Sequence, residues 1–261
     1  MKLWKIIIFM TIVLVAGSAI SQEKCKTIHV YVALCDNENQ GIIPVPKKLG
    51  NGKDLQNNLY WGALYGVKSY FKNSKEWILL SSIQKPSDKI LERCIFRHKN
   101  KNIYLIADAY EGSKIKQTII DFLNAASGKT NNSATIALNN KFITIAVSGS
   151  SDLIVYVGHD GLMDFQLDLY PQKENDKKRE VMILACYSKR YFQQAVKESG
   201  AYPLLWTSGL MAPEAYSLKS AIDGWILNEE NEKIRLRAVR EYQNYQKCSF
   251  KGANNLFKTG W

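Results

Sequence analysis

The sequence predicts an α/β fold: a mostly parallel central sheet with helices on both faces, forming a three-layer sandwich. Two observations carry this. Short, near-continuously apolar runs rich in β-branched residues recur along the chain, as strands buried on both sides require. Between them stand segments with apolar residues at helical spacing, several of them closed by glycine.

In order, "IHVYVALC" (28–35) reads as a buried strand. The polar loop "DNENQGIIPVPKKLGNGKDLQNN" (36–58) leaves it directly, and its proline-stiffened "GIIPVP" suits an ordered wall. "LYWGALYGVKSYFKN" (59–73) has helical spacing, with Trp61 and Tyr65 expected in the core. "EWILLSSI" and "NIYLIADAY" read as strands, with "RCIFRH" a shorter one between them. "SKIKQTIIDFLNAASG" is a helix stopped at Gly128. The following "GKT" lacks the upstream glycine of a phosphate-binding loop, because Leu123 holds that place; the stretch reads as a polar turn. "KFITIAVS" and "DLIVYVG" form a hairpin, or an edge strand beside a central one. "EVMILACYS", "KRYFQQAVKESG", "YPLLWTSG" and "APEAYSLKSAIDGWILN" continue as strand, helix, strand and helix, with Trp206 and Trp225 as core aromatics. "EENEKIRLRAVREYQNYQKC" closes the helical set, and Trp261 of the tail is expected to dock on the body.

Residues 1–21 precede this pattern. "MKLWK", "IIIFMTIVLVA" and "GSAIS" have the basic, apolar and small-residue order of a secretory signal peptide cleaved after Ser21. The expectation is an exported chain, periplasmic or secreted, with one α/β domain over 22–261. No later segment is apolar enough to span a bilayer. Loss of Lys2 and Lys5 lowers the net charge from +11 to +9. The basic residues are spread over loops such as "FRHKNKN", which argues for solvated surface and against specific nucleic-acid binding. The wide spacing of five cysteines and three histidines is unlike a zinc site, and nothing calls for a metal or cofactor. In an exported protein the same cysteines are disulfide candidates, with Cys35 able to pair with Cys25, Cys94, Cys186 or Cys248. "QKENDKKRE" (172–180) is a candidate nicking site.

In open parallel sheets, ligands bind beyond the carboxyl ends of the strands. The residues just past the apolar runs are therefore the site candidates: Cys35 and Asp36, Gly158 to Gly161, Cys186 to Ser188, and Thr207 with Ser208. Among them His159 and Cys186 have the chemistry of a thiol nucleophile and its base. His29 falls at the opposite rim, and His98 lies in a basic stretch near a short strand. Gly158 and Gly161 offer amides to an oxyanion. Asp160 and Asp164 could orient the imidazole, hold a basic substrate side chain or cap a turn. Ser188, Thr207 and Ser208 stand where substrate contacts are expected.

"VYVGHDG" followed by "ILACYS" resembles the two strand ends of the caspase–legumain–gingipain superfamily of cysteine peptidases. In that group an apolar strand ends in a histidine–glycine element, and the next ends in the catalytic cysteine. Here Asp160 stands between His159 and Gly161. The resemblance implies a caspase-like, broadly Rossmann-like sandwich and a peptide or protein substrate. It also implies His159 as base, Cys186 as nucleophile, and Gly161 or the amide of Cys186 at the oxyanion. Two other readings stay open: a catalytically inactive envelope protein binding peptide or glycan on the same rim, and a thiol-redox protein built on Cys35 and Cys186.

Overall fold

The computed structural model describes residues 25–138 and 141–261; the leader expected over 1–21 lies outside the described residues. The chain opens with β1 (Lys26–Ala33), crosses the long loop to α1 (Val67–Lys72), and enters β2 (Trp77–Gln84), β3 (Ile90–His98) and β4 (Ile103–Tyr110). Next come α2 (Ile115–Ser127), β5 (Asn131–Leu138), β6 (Lys141–Ser148), β7 (Leu153–Val157), β8 (Glu180–Leu184), α3 (Ser188–Ser199) and β9 (Tyr202–Thr207). The chain closes with α4 (Ala215–Ile226), α5 (Asn231–Gln246), α6 (Phe250–Leu256) and the two-residue β10 (Phe257–Lys258).

Eight strands form one sheet in the order β10-β9-β8-β7-β1-β4-β3-β2. The run β4, β1, β7, β8, β9 is parallel. The strands β2, β3 and β10 add antiparallel edges. The expected α/β class with a mostly parallel sheet is therefore the observed one. The chain steps from β1 to β4 on one side and later lays β7 on the other, so strand order reverses at β1. The crevice beyond the carboxyl ends of β1 and β7 is thus the topological switch point, where open α/β sheets bind ligands.

Alternation on β1 shows why both faces need cover. Ile28, Val30, Val32 and Leu34 pack into one core with α1, α4 and α5. Tyr31 and Ala33 pack into the other with α2 and α3. Every residue of β4 and β7 is buried; β7 is apolar throughout, and β4 is broken only by Asp108, whose carboxylate is paired. Helices α2 and α3 stop at the expected glycines, Gly128 and Gly200.

Three expectations need correction. Residues 59–66 do not start a helix: the amides of Trp61, Gly62 and Ala63 all point at the Asn58 carbonyl, which coils the chain into turns, and α1 begins only at Val67. The polar turn expected after Gly128 gives way at Asn131 to a strand that the sequence reading does not contain: residues 131–138 form β5 and pair antiparallel with β6 as a separate two-stranded sheet. β6 therefore does not pair with β7 in a hairpin. Its apolar side packs instead over Ile95, Tyr104 and Ile106 of the main sheet. Trp61, Trp206 and Trp225 are buried as expected, whereas Trp261 contacts the Trp206 ring yet stays half exposed. No helix among the described residues is long and apolar enough to cross a membrane.

Candidate active site

Register places the site. Val32 of β1 pairs with Val157 of β7, which pairs with Leu184 of β8. His159 and Cys186 each stand two residues beyond these aligned ends, on adjacent parallel strands roughly 5 Å apart. Both line a single pocket of about 280 Å³. His29 lies inside the sheet, where it bonds Asp108, and His98 packs on Trp77 at the end of β3. Of the three histidines, only His159 reaches this rim.

The chain at each strand end explains how the side chains get there. Gly158 has φ 155°, and a Cβ there would come within 3.0 Å of the Ala33 carbonyl oxygen. Only glycine lets β7 finish so close to β1. Past β8 the chain turns sharply into α3 through Tyr187, a non-glycine residue in the left-handed region (φ 49°, ψ 27°). Such strain in a non-glycine residue is characteristic of functional turns, and here it sets Cys186 immediately before the positive end of a helix.

Asp164 holds the imidazole. His159 Nε2 donates to Asp164 Oδ2 at 2.7 Å, and the same oxygen accepts from the Gly41 amide at 3.0 Å. This bond commits Nε2 and leaves Nδ1 as the ring nitrogen able to take a proton. The long loop thereby closes onto the site, and Gly41, Ile42, Ile43 and Val45 line the pocket. The expectation of an ordered wall is met, and "GIIPVP" forms it.

The loop after β9 holds the thiol. Cys186 Sγ donates to the Met211 carbonyl at 3.6 Å and accepts from the Met211 amide at 3.4 Å. Burial pushes its pKa above the usual thiol value; the Met211 backbone bond opposes the shift and Asp160 adds to it. No hydrogen bond joins Cys186 to His159 among the described residues.

Several candidates take other roles. Asp160 is fully buried and does not face a substrate. One oxygen accepts from Leu162 N, capping a short helical turn, and Oδ2 has no partner among the described residues. Burial pushes its pKa up to about 7. The amides of Gly158 and Gly161 are already committed, to the Leu184 and His159 carbonyls, so neither is free to bind an oxyanion. Cys186's own amide is the donor that remains of the three expected. Ser188 and Thr207 are fully buried and bond each other, with Ser188 also bonding the Ile183 carbonyl and Thr207 the Ala185 carbonyl. They pin β8 to β9 and do not touch substrate. Ser208 is exposed and bonds Asn255 in the C-terminal segment, away from the pocket.

Cys35 is sealed: its exposure is zero, Asn58 bonds its amide and carbonyl, and burial pushes its pKa up to about 11. All five cysteines are free, so the expected disulfides, including a Cys35–Cys186 bridge, are not present. Among the described residues no group of three His, Cys, Asp or Glu side chains is placed to hold a metal.

Leu59, Tyr60, Met163 and residues 210–213 also line the pocket and are not among the residues that the strand-end rule singles out. The available signal was large apolar residues inside loops that leave the same rim. Comparison with protein-family models, curated proteins and solved structures finds no match to this chain.

Proposed function

We propose that this chain is an exported cysteine peptidase-like hydrolase with Cys186 as nucleophile, His159 as base and Asp164 as the group that orients the base. One observation carries the reading: thiol and imidazole share a pocket at the switch point of the sheet, on neighbouring parallel strands, as the resemblance to the caspase–legumain–gingipain group implies. Nδ1 of His159 takes the Sγ proton as sulfur bonds to the substrate carbonyl carbon. Collapse of the adduct breaks the C–N bond, and the imidazolium passes its proton to the leaving amine. Water, deprotonated by the same nitrogen, then cleaves the thioester, releasing the acid and restoring the thiol. Export rests on the leader-like order of residues 1–21.

The test is alkylation of Cys186 by iodoacetamide, followed by mass spectrometry, in the natural chain and in His159→Ala. Base assistance predicts a rate lower by roughly 10²-fold or more in the variant. Equal rates would remove the dyad. A second reading, a catalytically silent peptide-binding protein of the same fold, is favoured by the bonds that tie Cys186 to Met211 and by its raised pKa. It predicts slow, His159-independent alkylation together with peptide binding in the same pocket.

A further inference from the structure

The pocket around the thiol has a chemistry that its two reactive side chains do not explain. Its wall comes from separate loops: Ile43 and Val45 from the segment after β1, Leu59 before α1, Met163 after β7, and Leu210 and Met211 after β9. Three of these are large apolar side chains left in water, with Ile43 81%, Leu210 62% and Met163 39% exposed. Hydrophobic side chains from distant parts of the chain, gathered around one opening, mark a surface built to be covered. The volume of about 280 Å³ lies at the low end of the roughly 300–1,000 Å³ of small-molecule sites, which suits one side chain and its adjoining peptide unit.

Among the described residues, no carboxylate and no lysine or arginine lines the pocket, and His159 is its one histidine. Asp164, the nearest acid in the constellation, is held by His159 and the Gly41 amide, and Asp160 is buried under its own turn. A guanidinium or ammonium placed here would find no counter-charge, and a carboxylate would find no cation beyond the imidazole needed for proton transfer. Burying either without a partner is strongly unfavourable.

We infer that this site selects an apolar side chain, of the leucine, methionine or phenylalanine class, next to the carbonyl that Cys186 attacks. The inference rests on the hydrolase reading and adds the substrate class to it. Ile43, Met163 and Leu210 close over that side chain, and the affinity comes from removing their surfaces and the ligand's from water.

The test uses peptidyl acyloxymethyl ketones that differ only in the terminal residue (Leu, Met, Phe, Asp, Asn or Arg), with labelling of Cys186 followed by mass spectrometry. The Leu, Met and Phe probes are expected to label at least about tenfold faster than the Asp and Arg probes. Leu210→Glu and Ile43→Glu, at exposed positions that do not endanger folding, are expected to lower the Leu rate and raise the Arg rate. Labelling that is fastest with Arg, Asn or Asp, equal across the panel, or absent with every probe overturns the apolar assignment. Failure of the hydrolase reading registers separately, as equal iodoacetamide rates in the natural chain and His159→Ala. In that event, binding of an N-acetyl-leucyl peptide to Cys186→Ala, compared with its arginyl counterpart, reports the pocket's preference directly.

Discussion

Asp160 and Asp164 are four residues apart and do opposite things. Asp164 sits at the surface, where its carboxylate orients His159 and pins the Gly41 loop. Asp164→Asn keeps the shape but loses the charge that steadies the imidazole, and is expected to lower turnover of an apolar peptide substrate by roughly 10²-fold or more. Asp160 is buried with one oxygen unpartnered, and its pKa is pushed up to about 7. Because the folded pKa exceeds the unfolded one, the folded chain keeps the proton longer. The associated stability is full below about pH 4 and lost as pH rises through about 7. The linked change reaches up to about 4 kcal/mol, since each pKa unit corresponds to about 1.4 kcal/mol. Urea denaturation from pH 5 to 8 should therefore show stability falling in the natural chain, with a flatter profile in Asp160→Asn. Identical slopes would mean that Asp160 is ionised throughout. The sequence shows an acid on either side of Gly161. It does not show which one is sealed, because that depends on how the turn packs Phe165 against Gly161.

At the scale of elements, the strands that carry the site were legible and much of what flanks them was not. β7 and residues 181–184 of β8 are short, unbroken apolar runs, and such runs leave few alternatives to a central parallel strand. β5 was missed because Asn131, Asn132, Ser133 and Thr135 read as loop; its pairing with β6 and the packing of that pair override local propensity. The pair is also fastened by a buried polar group that periodicity cannot show. The Ser148 amide donates to His29 Nδ1 at 2.8 Å, His29 Nε2 bonds Asp108, and Arg93 grips Asp108 with two bonds of 2.6 Å. Arg93 holds the Asp108 carboxyl below the usual range despite complete burial. Arg93→Ala leaves that charge without its main partner, and the expected loss is about 3–5 kcal/mol in urea unfolding. Faster amide exchange at Ser148 would accompany it if the pair is held as described. A loss below about 1 kcal/mol would show that His29 alone suffices.

At the scale of the whole molecule, the export proposed from the leader-like residues 1–21 and the free thiols make a joint demand. A chain in an oxidising compartment commonly gains stability from disulfides, each contributing typically 2–4 kcal/mol. Here five cysteines are spread over the fold, and all are free. Cys35 and Cys94 are fully buried on the same side of the sheet, each packed into the core shared with α1 and α4, and their pKa values are pushed up to about 11 and about 12. Raised values of this kind keep both thiols protonated and slow to exchange. Stability must then come from the two apolar layers on either side of the sheet, which a chain of this length is large enough to build. The expected consequence is a thermal midpoint that does not move when a thiol reductant is added to the protein. Unfolding in urea without reductant should expose five alkylatable sulfurs, while the folded chain modifies Cys35 and Cys94 last. A lower midpoint in reductant, or fewer than five alkylated positions after unfolding, would show that the chain is cross-linked and that its core alone does not hold the site in place.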